Sequence, residues 1–484
     1  MIASKTELLS VVQHYNPWWS GRRSPELPVW RRAAFHEIAR WIAEPPGNRA
    51  LLLSGARQVG KTTLFLQVIA DLVGRGIPPE NILYVTFDHP LLKLSGPDAL
   101  VNLWREFEPA KEGPEYLFLD EIQMVKDWPV WLKHQVDFEK RRRIAVTGSA
   151  MPVSLEGQES GVGRWHTIRL ATLSFFEYLQ IRKAETPALP PVGSLRELFQ
   201  WSARDFARVA EMARPLVALF HEYLLRGGFP QSALVENIEI AQKLLREDIV
   251  DKVLKRDMTA LFGVRRVLEL EQVFLYLCMH GGGQLSLPNV CKQLELKKPT
   301  VGNFIGLLEA AHLIYRLLPF GYGKQVLRGR PKIYLADAAI APGVLLKGKS
   351  LLADSEALGR GVETAFFRHV FARYYSQSVG FSYWRGKHDH EVDIIAETPD
   401  RLVPFEVKYR PSGYTGPDQL KGLAEFCADR RVAEAYVITR DLTDFGVTPL
   451  GAGLGEIAVL RMPGPLACYW LGQSELTASP ESEA

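Results

Sequence analysis

One short segment restricts the fold of this chain more than any other. Gly55 is followed by four residues and then by Gly60, Lys61 and Thr62, which is the spacing of a phosphate-binding P-loop. The apolar residues before Gly55 predict a short buried strand, and the residues after Lys61 predict a helix. A loop that opens onto a helix N-terminus directs backbone N–H groups at an anion. The segment therefore predicts an α/β domain with a nucleotide site between a strand and a helix.

The P-loop predicts ATP and Mg²⁺ as ligands. Backbone N–H groups from Arg57 to Thr62 are expected to surround the β-phosphate. Lys61 places a positive charge near the β- and γ-phosphates, and the Thr62 hydroxyl is expected to bind Mg²⁺. The residues predicted to bind the cofactor are Gly55, Gln58, Val59, Gly60, Lys61, Thr62 and Thr63.

A second segment, EYLFLDEIQ, supplies the carboxylates that such a site needs. An apolar strand ends in Asp120 and Glu121, as in a Walker B segment. Asp120 is expected to hold Mg²⁺ through water, and Glu121 is expected to polarise the attacking water as a general base. Adjacent carboxylates at a solvated strand end are the ordinary alternative, which the preceding P-loop disfavours.

Two further segments add candidate catalytic residues. A third strand, predicted at 143–146, ends in Thr147 and Ser149, and one of these hydroxyls is expected to sense the γ-phosphate. The sequence does not choose between them, and a plain turn is the alternative. Arg164 is expected to reach the γ-phosphate of a neighbouring subunit, or else to be an ordinary surface arginine. The predicted catalytic residues are Lys61, Asp120, Glu121, Ser149 and Arg164.

These motifs together resemble a known family. GARQVGKTT, FLDEIQ, VTGSA and GRWHTIRLATLSFFEYL follow one another as in the AAA+ ATPases, specifically the prokaryotic family with a separate carboxy-terminal domain of the DUF4143 type. RGGFPQ and REDIVDKVLKRDM resemble the lid of that family, whereas Ala150 stands where the family more often has serine. The resemblance implies a homo-oligomer, such as a hexameric ring, in which the next subunit's arginine completes the site.

A basic segment follows the predicted lid. Residues 291–332 hold eight basic and two acidic residues, an excess of six positive charges against +3 for the whole chain. Two helices joined by a tight turn, followed by a hairpin, predict a winged helix. DNA is the expected partner, although winged helices also serve as protein-docking modules or spacers. The predicted DNA contacts are Lys297, Lys298, Thr300 and Asn303 at the start of the second helix, and Lys324, Arg328 and Arg330 on the wing.

The carboxy-terminal region contains a second chemical pattern. Glu363 lies on a predicted helix, Asp393 on the strand EVDII, and Glu406 and Lys408 on the strand PFEVK. This D…ExK pattern, within a helix-strand-strand-helix-strand order, is similar to the PD-(D/E)xK nucleases, and the similarity implies a second divalent metal shared by Asp393 and Glu406. Many domains of this type only bind, so cleavage and binding both stay open.

The length of 484 residues predicts several domains, and the composition excludes collagen-like, coiled-coil and broadly disordered chains. The expected class is α/β multidomain, with a P-loop core, a helical lid, a winged helix and a restriction-endonuclease-like domain. The predicted divisions are an N-terminal extension at 1–30, the ATPase core at 31–178, the lid at 179–262, the winged helix at 263–340, the nuclease-like domain at 341–474 and a disordered tail at 475–484.

The combined pattern predicts an ATPase that couples ATP hydrolysis to binding, remodelling or translocation of DNA. Two alternatives stay open: a nucleotide-controlled switch or protein-interaction scaffold, and an ATP-powered metal-dependent nuclease. The chain has no apolar run of the roughly 18 residues that a membrane span requires. No membrane association and a cytoplasmic location are therefore expected.

Overall fold

The computed structural model describes residues 4–22, 26–45, 47–149, 163–321, 323, 326, 329–377, 379–386, 390–410, 417–450 and 457–477. The chain divides into two compact units. The first comprises Met1–Leu170 with Ala310–His312, and the second comprises Ala171–Glu309 with Leu313–Ala484. Each unit combines helices with a β-sheet of its own. The predicted α/β multidomain class is confirmed.

The first unit is built on a five-stranded parallel sheet. Its strands, in the spatial order β2-β3-β4-β1-β5, all run in the same direction. Because parallel strands end at one edge, the residues that follow β1, β3 and β4 lie near one another. The strands are β1 Ala50–Ser54, β2 Ile82–Thr86, β3 Glu115–Asp120, β4 Arg142–Gly148 and β5 Trp165–Arg169.

Helices cover this sheet, as the apolar strands require. Every residue of β1, β2 and β3 is buried, which is typical of parallel strands packed on both faces. Leu52, Val85 and Leu117 share one core cluster with Trp104, which is fully buried. The helices of this unit are α1 Lys5–Tyr15, α2 Ala33–Ala43, α3 Lys61–Gly74, α4 Pro90–Phe107 and α5 Trp128–Phe138.

The second unit begins with helices. Ser174 and Ser202 each start a helix with a capping box, in which the serine hydroxyl and an acidic side chain three residues later satisfy the first backbone N–H groups. A π-helix, Glu247–Asp257, lies within the predicted lid. The α-helices of this region are α6 Phe175–Ile181, α7 Ala203–Met212, α8 Arg214–Arg226, α9 Pro230–Leu234, α10 Ile238–Arg246, α11 Met258–Phe262 and α12 Val267–His280.

The predicted helix pair and hairpin follow in the expected order. The helices are α13 Leu287–Leu294 and α14 Lys298–Ala310, and the strands are β6 Ile314–Pro319 and β7 Lys332–Leu335. Glu295, between the helices, adopts a left-handed conformation with a φ of 55°. The hairpin is also one end of a larger sheet, because β6 pairs in parallel with β8, Gly380–Arg385.

That larger sheet has eight strands, in the order β12-β13-β11-β10-β9-β8-β6-β7. The sequence predicted two strands between the helices now seen at Ser355–Tyr374 and Lys421–Arg430, whereas the structure has three. The strand that was missed is β8. The remaining strands are β9 Glu391–Glu397, β10 Leu402–Lys408, β11 Glu434–Thr439, β12 Gly446–Leu450 and β13 Ile457–Pro463. The helices are α15 Ile340–Val344, α16 Ser355–Tyr374, α17 Lys421–Arg430 and α18 Gly464–Thr477.

Helix α18 extends into the predicted tail, so residues 475–477 are helical, while 478–484 lie outside the described residues. In the part of the chain that the structure describes, no helix has the length and apolar character needed to cross a membrane.

Candidate functional site

The P-loop of the first unit has the backbone that phosphate binding requires. A Cβ at Gly55 would lie 2.4 Å from the carbonyl oxygen of Leu170, so only glycine fits there. Gly60 has a φ of 98°, and Gln58 has a φ of 62°. Gly60 is the N-cap of α3, and among the described residues no side chain caps this helix. The first N–H groups of α3 are therefore placed to bind an anion.

Lys61 lies inside the loop, where its side chain is buried. Its Nζ donates hydrogen bonds of 2.9 Å to the carbonyl oxygens of Gly55 and Ala56. These bonds hold the ammonium at the mouth of the loop. A bound phosphate there would meet both the α3 N-terminus and a lysine charge.

Thr62 and Asp120 form the candidate metal site. Thr62 Oγ1 donates to Asp120 Oδ2 at 2.7 Å, and Tyr84 donates its hydroxyl to the same oxygen at 2.9 Å. Thr147 Oγ1 donates to Asp120 Oδ1 at 2.5 Å. Burial, reinforced by the neighbouring Glu121, raises the pKa of Asp120 above its ordinary value. Hydroxyl and carboxylate oxygens are the ligands that Mg²⁺ prefers, so this pair fits the ion.

Glu121 lies next to this pair in an unusual backbone conformation. Its φ of 54° is in the left-handed region, which costs a non-glycine residue about 1–3 kcal/mol. The Glu121 N–H donates to Thr147 Oγ1 at 2.9 Å, and its carboxylate accepts hydrogen bonds from Ser149 and Gln123. Burial alone would raise its pKa, but the Lys61 ammonium and these hydrogen bonds hold the pKa below its ordinary value. Glu121 is therefore ionised at neutral pH.

The structure places both candidate sensor hydroxyls beside the carboxylates. Because β4 lies beside β3, Thr147 contacts Asp120 and Ser149 contacts Glu121. Arg164 forms an ion pair with Asp137, with 3.4 Å between Nε and Oδ1 and 36% of its side chain exposed. Its role toward a neighbouring subunit stays a prediction.

Three residues around this site were not predicted. The Tyr84 hydroxyl donates a hydrogen bond to Asp120, and Arg32 Nη1 donates to the carbonyl oxygen of Val59 at 2.9 Å. Gln123 stands in the quoted segment FLDEIQ, two residues after Glu121, and this spacing is the only signal that pointed to it. Tyr84 and Arg32 carry no motif of their own.

The second unit brings the four residues of the nuclease-like pattern together. Glu406 Oε2 accepts from the Asp393 N–H at 3.3 Å, and Lys408 Nζ lies 2.5 Å from Glu406 Oε1. Glu363 is linked to Asp393 through Lys332, whose Nζ lies 3.3 Å from Glu363 and 2.8 Å from Asp393.

Lys332 and Glu391 were not predicted for this site. Lys332 had been counted among the basic residues of the hairpin segment, and its Nζ lies 2.6 Å from Glu391 Oε1. Among the described residues, no group of three or more His, Cys, Asp or Glu side chains is placed to hold a metal ion. Because the Lys332 ammonium lies between Asp393 and Glu363, the implied second metal does not fit the arrangement as it stands.

The pKa values of this second cluster differ from those of the first. Burial raises the pKa of Glu363 to about 7 and that of Glu406 to about 8, against the attraction of Lys332 and Lys408. Burial opposes ionisation of Asp393 too, but Lys332 and then Lys408 hold its pKa below the ordinary value.

The predicted DNA contacts are described in part. Lys297, Lys298 and Asn303 are exposed at the start of α14, Thr300 is half-buried, and Arg330 is exposed just before β7. Lys324 and Arg328 lie outside the described residues. An exposed basic helix start is compatible with phosphate contacts.

Comparison with known families identifies three matches. Residues 47–179 match the family described as an AAA domain, 217–350 match a domain of unknown function, DUF8612, and 358–451 match a domain of unknown function, DUF4143. An uncharacterized protein of Haemophilus influenzae is 25% identical over 369 residues, covering 74% of this chain and 82% of that protein. An uncharacterized protein of Mycobacterium tuberculosis is 26% identical over 393 residues, covering 78% and 74%.

Solved structures with detectable similarity are more distant. The ORC1 protein of Aeropyrum pernix in complex with DNA has a TM-score of 0.31 and 14% identity, covering 66% of this chain and 93% of that one. A Walker-type ATPase of Pyrococcus abyssi has a TM-score of 0.39 and 12% identity, covering 67% and 97%. At these scores neither similarity carries a functional argument.

Proposed function

Because this chain belongs to the prokaryotic AAA+ ATPases, with an AAA domain followed by a DUF4143 domain, we propose that it hydrolyses ATP and couples hydrolysis to binding, remodelling or translocation of DNA. The observation that carries the ATPase part is the contact between Thr62 and Asp120 at 2.7 Å, beside the ionised Glu121. These residues lie at one sheet edge, next to a loop and helix N-terminus suited to phosphates.

Each residue of the site has a separate task in this proposal. The P-loop N–H groups and Lys61 bind the β- and γ-phosphates, and Thr62 with Asp120 would hold Mg²⁺. When bound, Mg²⁺ neutralises charge on the phosphate oxygens. Glu121 accepts a proton from the attacking water, and its hydrogen bonds with Ser149 and Gln123 orient its carboxylate. Ser149 is thereby proposed as the residue that links γ-phosphate loss to the base.

Assembly is part of the same proposal. Arg164 would reach the γ-phosphate of the neighbouring subunit in a homo-oligomer such as a hexameric ring. Its ion pair with Asp137 would have to open for this, which 36% exposure of the arginine side chain permits. Replacing Arg164 with Ala should lower turnover in the oligomer without lowering nucleotide binding. Unchanged turnover in an oligomer of unchanged size would remove Arg164 from this role.

The DNA part rests on the exposed start of α14. Lys297 and Lys298 adjoin one another there, with Asn303 exposed further along the helix. Lysines that contact phosphates release counterions, so affinity falls as salt rises and depends little on base sequence. Arg330 is exposed just before β7 as well, whereas Lys332, which is counted in the basic excess of residues 291–332, is buried and adds nothing to this surface.

The experiment measures ATP turnover with and without duplex and single-stranded DNA at several salt concentrations. We expect DNA to stimulate turnover, with an effect that fades as salt rises. Lys61→Ala should abolish nucleotide retention, which separates the ATP site from the DNA surface. A protein that hydrolyses ATP at the same rate with or without DNA would favour a nucleotide-controlled switch or scaffold.

A matched pair of variants locates the DNA surface. Lys297→Ala should reduce the slope of log affinity against log salt by about 0.9, since one phosphate contact is lost. Lys349→Ala, at another exposed lysine of the same unit, should leave the slope unchanged. Equal slopes for both variants would show that α14 does not contact the DNA backbone.

A further inference from the structure

The acidic site of the eight-stranded sheet is formed by Glu363, Glu391, Asp393 and Glu406, and it already contains a positively charged side chain of the protein. Lys332 Nζ lies 2.6 Å from Glu391, 2.8 Å from Asp393 and 3.3 Å from Glu363, and its side chain is 2% exposed. Tyr334, on the same strand, donates its hydroxyl to Glu363 at 2.7 Å. A buried ammonium is stable only when anions pair with it, and here three carboxylates surround it.

The backbone of Lys332 is fixed on both sides. On one side it pairs with Leu317 of β6, and on the other it forms a bridge with Gln284. Hydrogen bonds flank it as well, because the Leu285 N–H donates to the carbonyl oxygen of Pro331 at 2.7 Å and the Gly282 N–H to that of Ile333 at 2.8 Å. The ammonium is therefore held by a paired strand.

We propose that the Lys332 ammonium is the resident cation of this site and that it excludes the divalent metal that the nuclease-like pattern implies. The carboxylate oxygens around Nζ lie at hydrogen-bond distances, whereas Mg²⁺ requires oxygens at about 2.0–2.1 Å. A metal at this place would have to displace the ammonium into an interior without its partners, which is strongly unfavourable for a buried charge.

The charges of the neighbouring groups support this assignment. Burial alone would lower the pKa of Lys332, but Asp393, Tyr334, Glu363 and Glu391 raise it well above its ordinary value. Lys332 is therefore charged at neutral pH, and Asp393, whose pKa is lowered mainly by Lys332 against its burial, is ionised beside it. The Lys332 ammonium therefore supplies the positive charge that would otherwise have to come from a metal ion to balance the Asp393 carboxylate.

Two carboxylates without a metal cannot activate water toward a phosphodiester in the way that the pattern implies. The DUF4143 region of this chain is therefore expected to leave phosphodiesters uncleaved. All residues around the Lys332 ammonium belong to the second unit, so the state of this cluster can be tested separately from the ATP site.

The test counts Mn²⁺ ions bound to the full chain, without nucleotide, by electron paramagnetic resonance. Wild type and Asp393→Asn should bind the same number, because no metal contacts Asp393. Lys332→Met should bind one more ion per chain, and Lys332→Met with Asp393→Asn should lose it again. Lys349→Met, which removes an exposed lysine of the same unit, should match wild type. Circular dichroism would check that each variant is folded.

Two results would overturn the proposal. One is a lower Mn²⁺ count in Asp393→Asn than in wild type, which would show that a metal ion binds at Asp393 although Lys332 is present. This comparison does not require a Lys332 variant that folds. The other is a folded Lys332→Met protein that gains no ion. Plasmid nicking in Mg²⁺ or Mn²⁺ adds an independent readout, since we expect no cleavage that depends on Asp393. Cleavage by wild type that Asp393→Asn abolishes would also contradict the assignment.

Discussion

The P-loop site and the acidic site of the eight-stranded sheet are made from the same kinds of residue but use their lysines in opposite ways. Lys61 donates to the carbonyl oxygens of Gly55 and Ala56, while Asp120 accepts from hydroxyls. Lys332 instead contacts three carboxylates. Carbonyl oxygens carry no net charge, whereas the partners of Lys332 are carboxylates. A cation entering the second site must break an ion pair.

The two glutamates show the same difference. The pKa of Glu121 is held below its ordinary value, although burial opposes this, and the pKa of Glu363 is raised by burial to about 7. The Lys61 ammonium lowers the pKa of Glu121 while it donates hydrogen bonds to uncharged carbonyl oxygens of the loop. Lys332 instead interacts with Glu363, Glu391 and Asp393 at the same time. A lysine next to a carboxylate is therefore not enough to identify a reactive site, because the effect of the lysine depends on its other contacts.

The largest expected difference between the sites is in catalysis. Glu121→Gln should lower ATP turnover by about 10²- to 10⁴-fold while nucleotide binding is kept, because the amide cannot accept the proton of water. Asp393→Asn should leave turnover unchanged. Steady-state ATPase rates and binding of a fluorescent ATP analogue measure both quantities. A Glu121→Gln protein with the parent rate would contradict the base assignment.

The next effect is on stability. Lys332→Met should lower the free energy of unfolding by about 3–5 kcal/mol, since it leaves buried carboxylates without their cation. Lys408→Met should cost less, roughly 1–2 kcal/mol, because Lys408 is 27% exposed and contacts one carboxylate. Denaturant unfolding measures both values. Equal losses would mean that Lys332 is not the principal cation of this cluster.

An effect of at most the size expected for Lys332→Met is a dependence on pH. Since the pKa of Glu363 rises from 4.5 in the unfolded chain to about 7 in the folded one, the native state binds the extra proton between these values. The stability that this group contributes therefore falls as pH rises from about 4.5 to 7, by at most about 1.4 kcal/mol per pH unit.

The measurement compares unfolding free energies of the parent and Glu363→Gln from pH 5 to 8. The parent should lose stability relative to the variant up to about pH 7 and run parallel to it above that value. Glu121→Gln is the control, because the pKa of Glu121 is shifted in the opposite direction, below its ordinary value. A parent that gains stability over Glu363→Gln with rising pH would reverse the assigned direction.

The P-loop site was predictable because its residues form short consecutive segments at one edge of a parallel sheet. Gly55, Lys61 and Thr62 belong to one motif, and Asp120 with Glu121 ends a strand that the apolar run before it defines. Tyr84 was missed because a tyrosine at the third position of an apolar strand has no pattern that separates a ligand contact from core packing.

The acidic site was predictable only in its parts. The sequence predicted Glu363, Asp393, Glu406 and Lys408, and the structure brings them together. No sequence pattern indicated that Lys332 belongs to this site, because Lys332 precedes Asp393 by 61 residues and was counted among the basic residues of segment 291–332. Strand β8 was missed as well, and its pairing with β6 is what joins the hairpin to this sheet.

The P-loop, the strand that ends in two carboxylates and the α/β class follow from the order of residues, because motif spacing and continuous apolar runs are enough to define them. The partners of Lys332, by contrast, depend on how the chain folds. Pairing between strands far apart in the chain follows from packing of whole elements, and it is this pairing that places the Lys332 ammonium among three carboxylates. The charge of a residue is written in the sequence, but its partners depend on the fold.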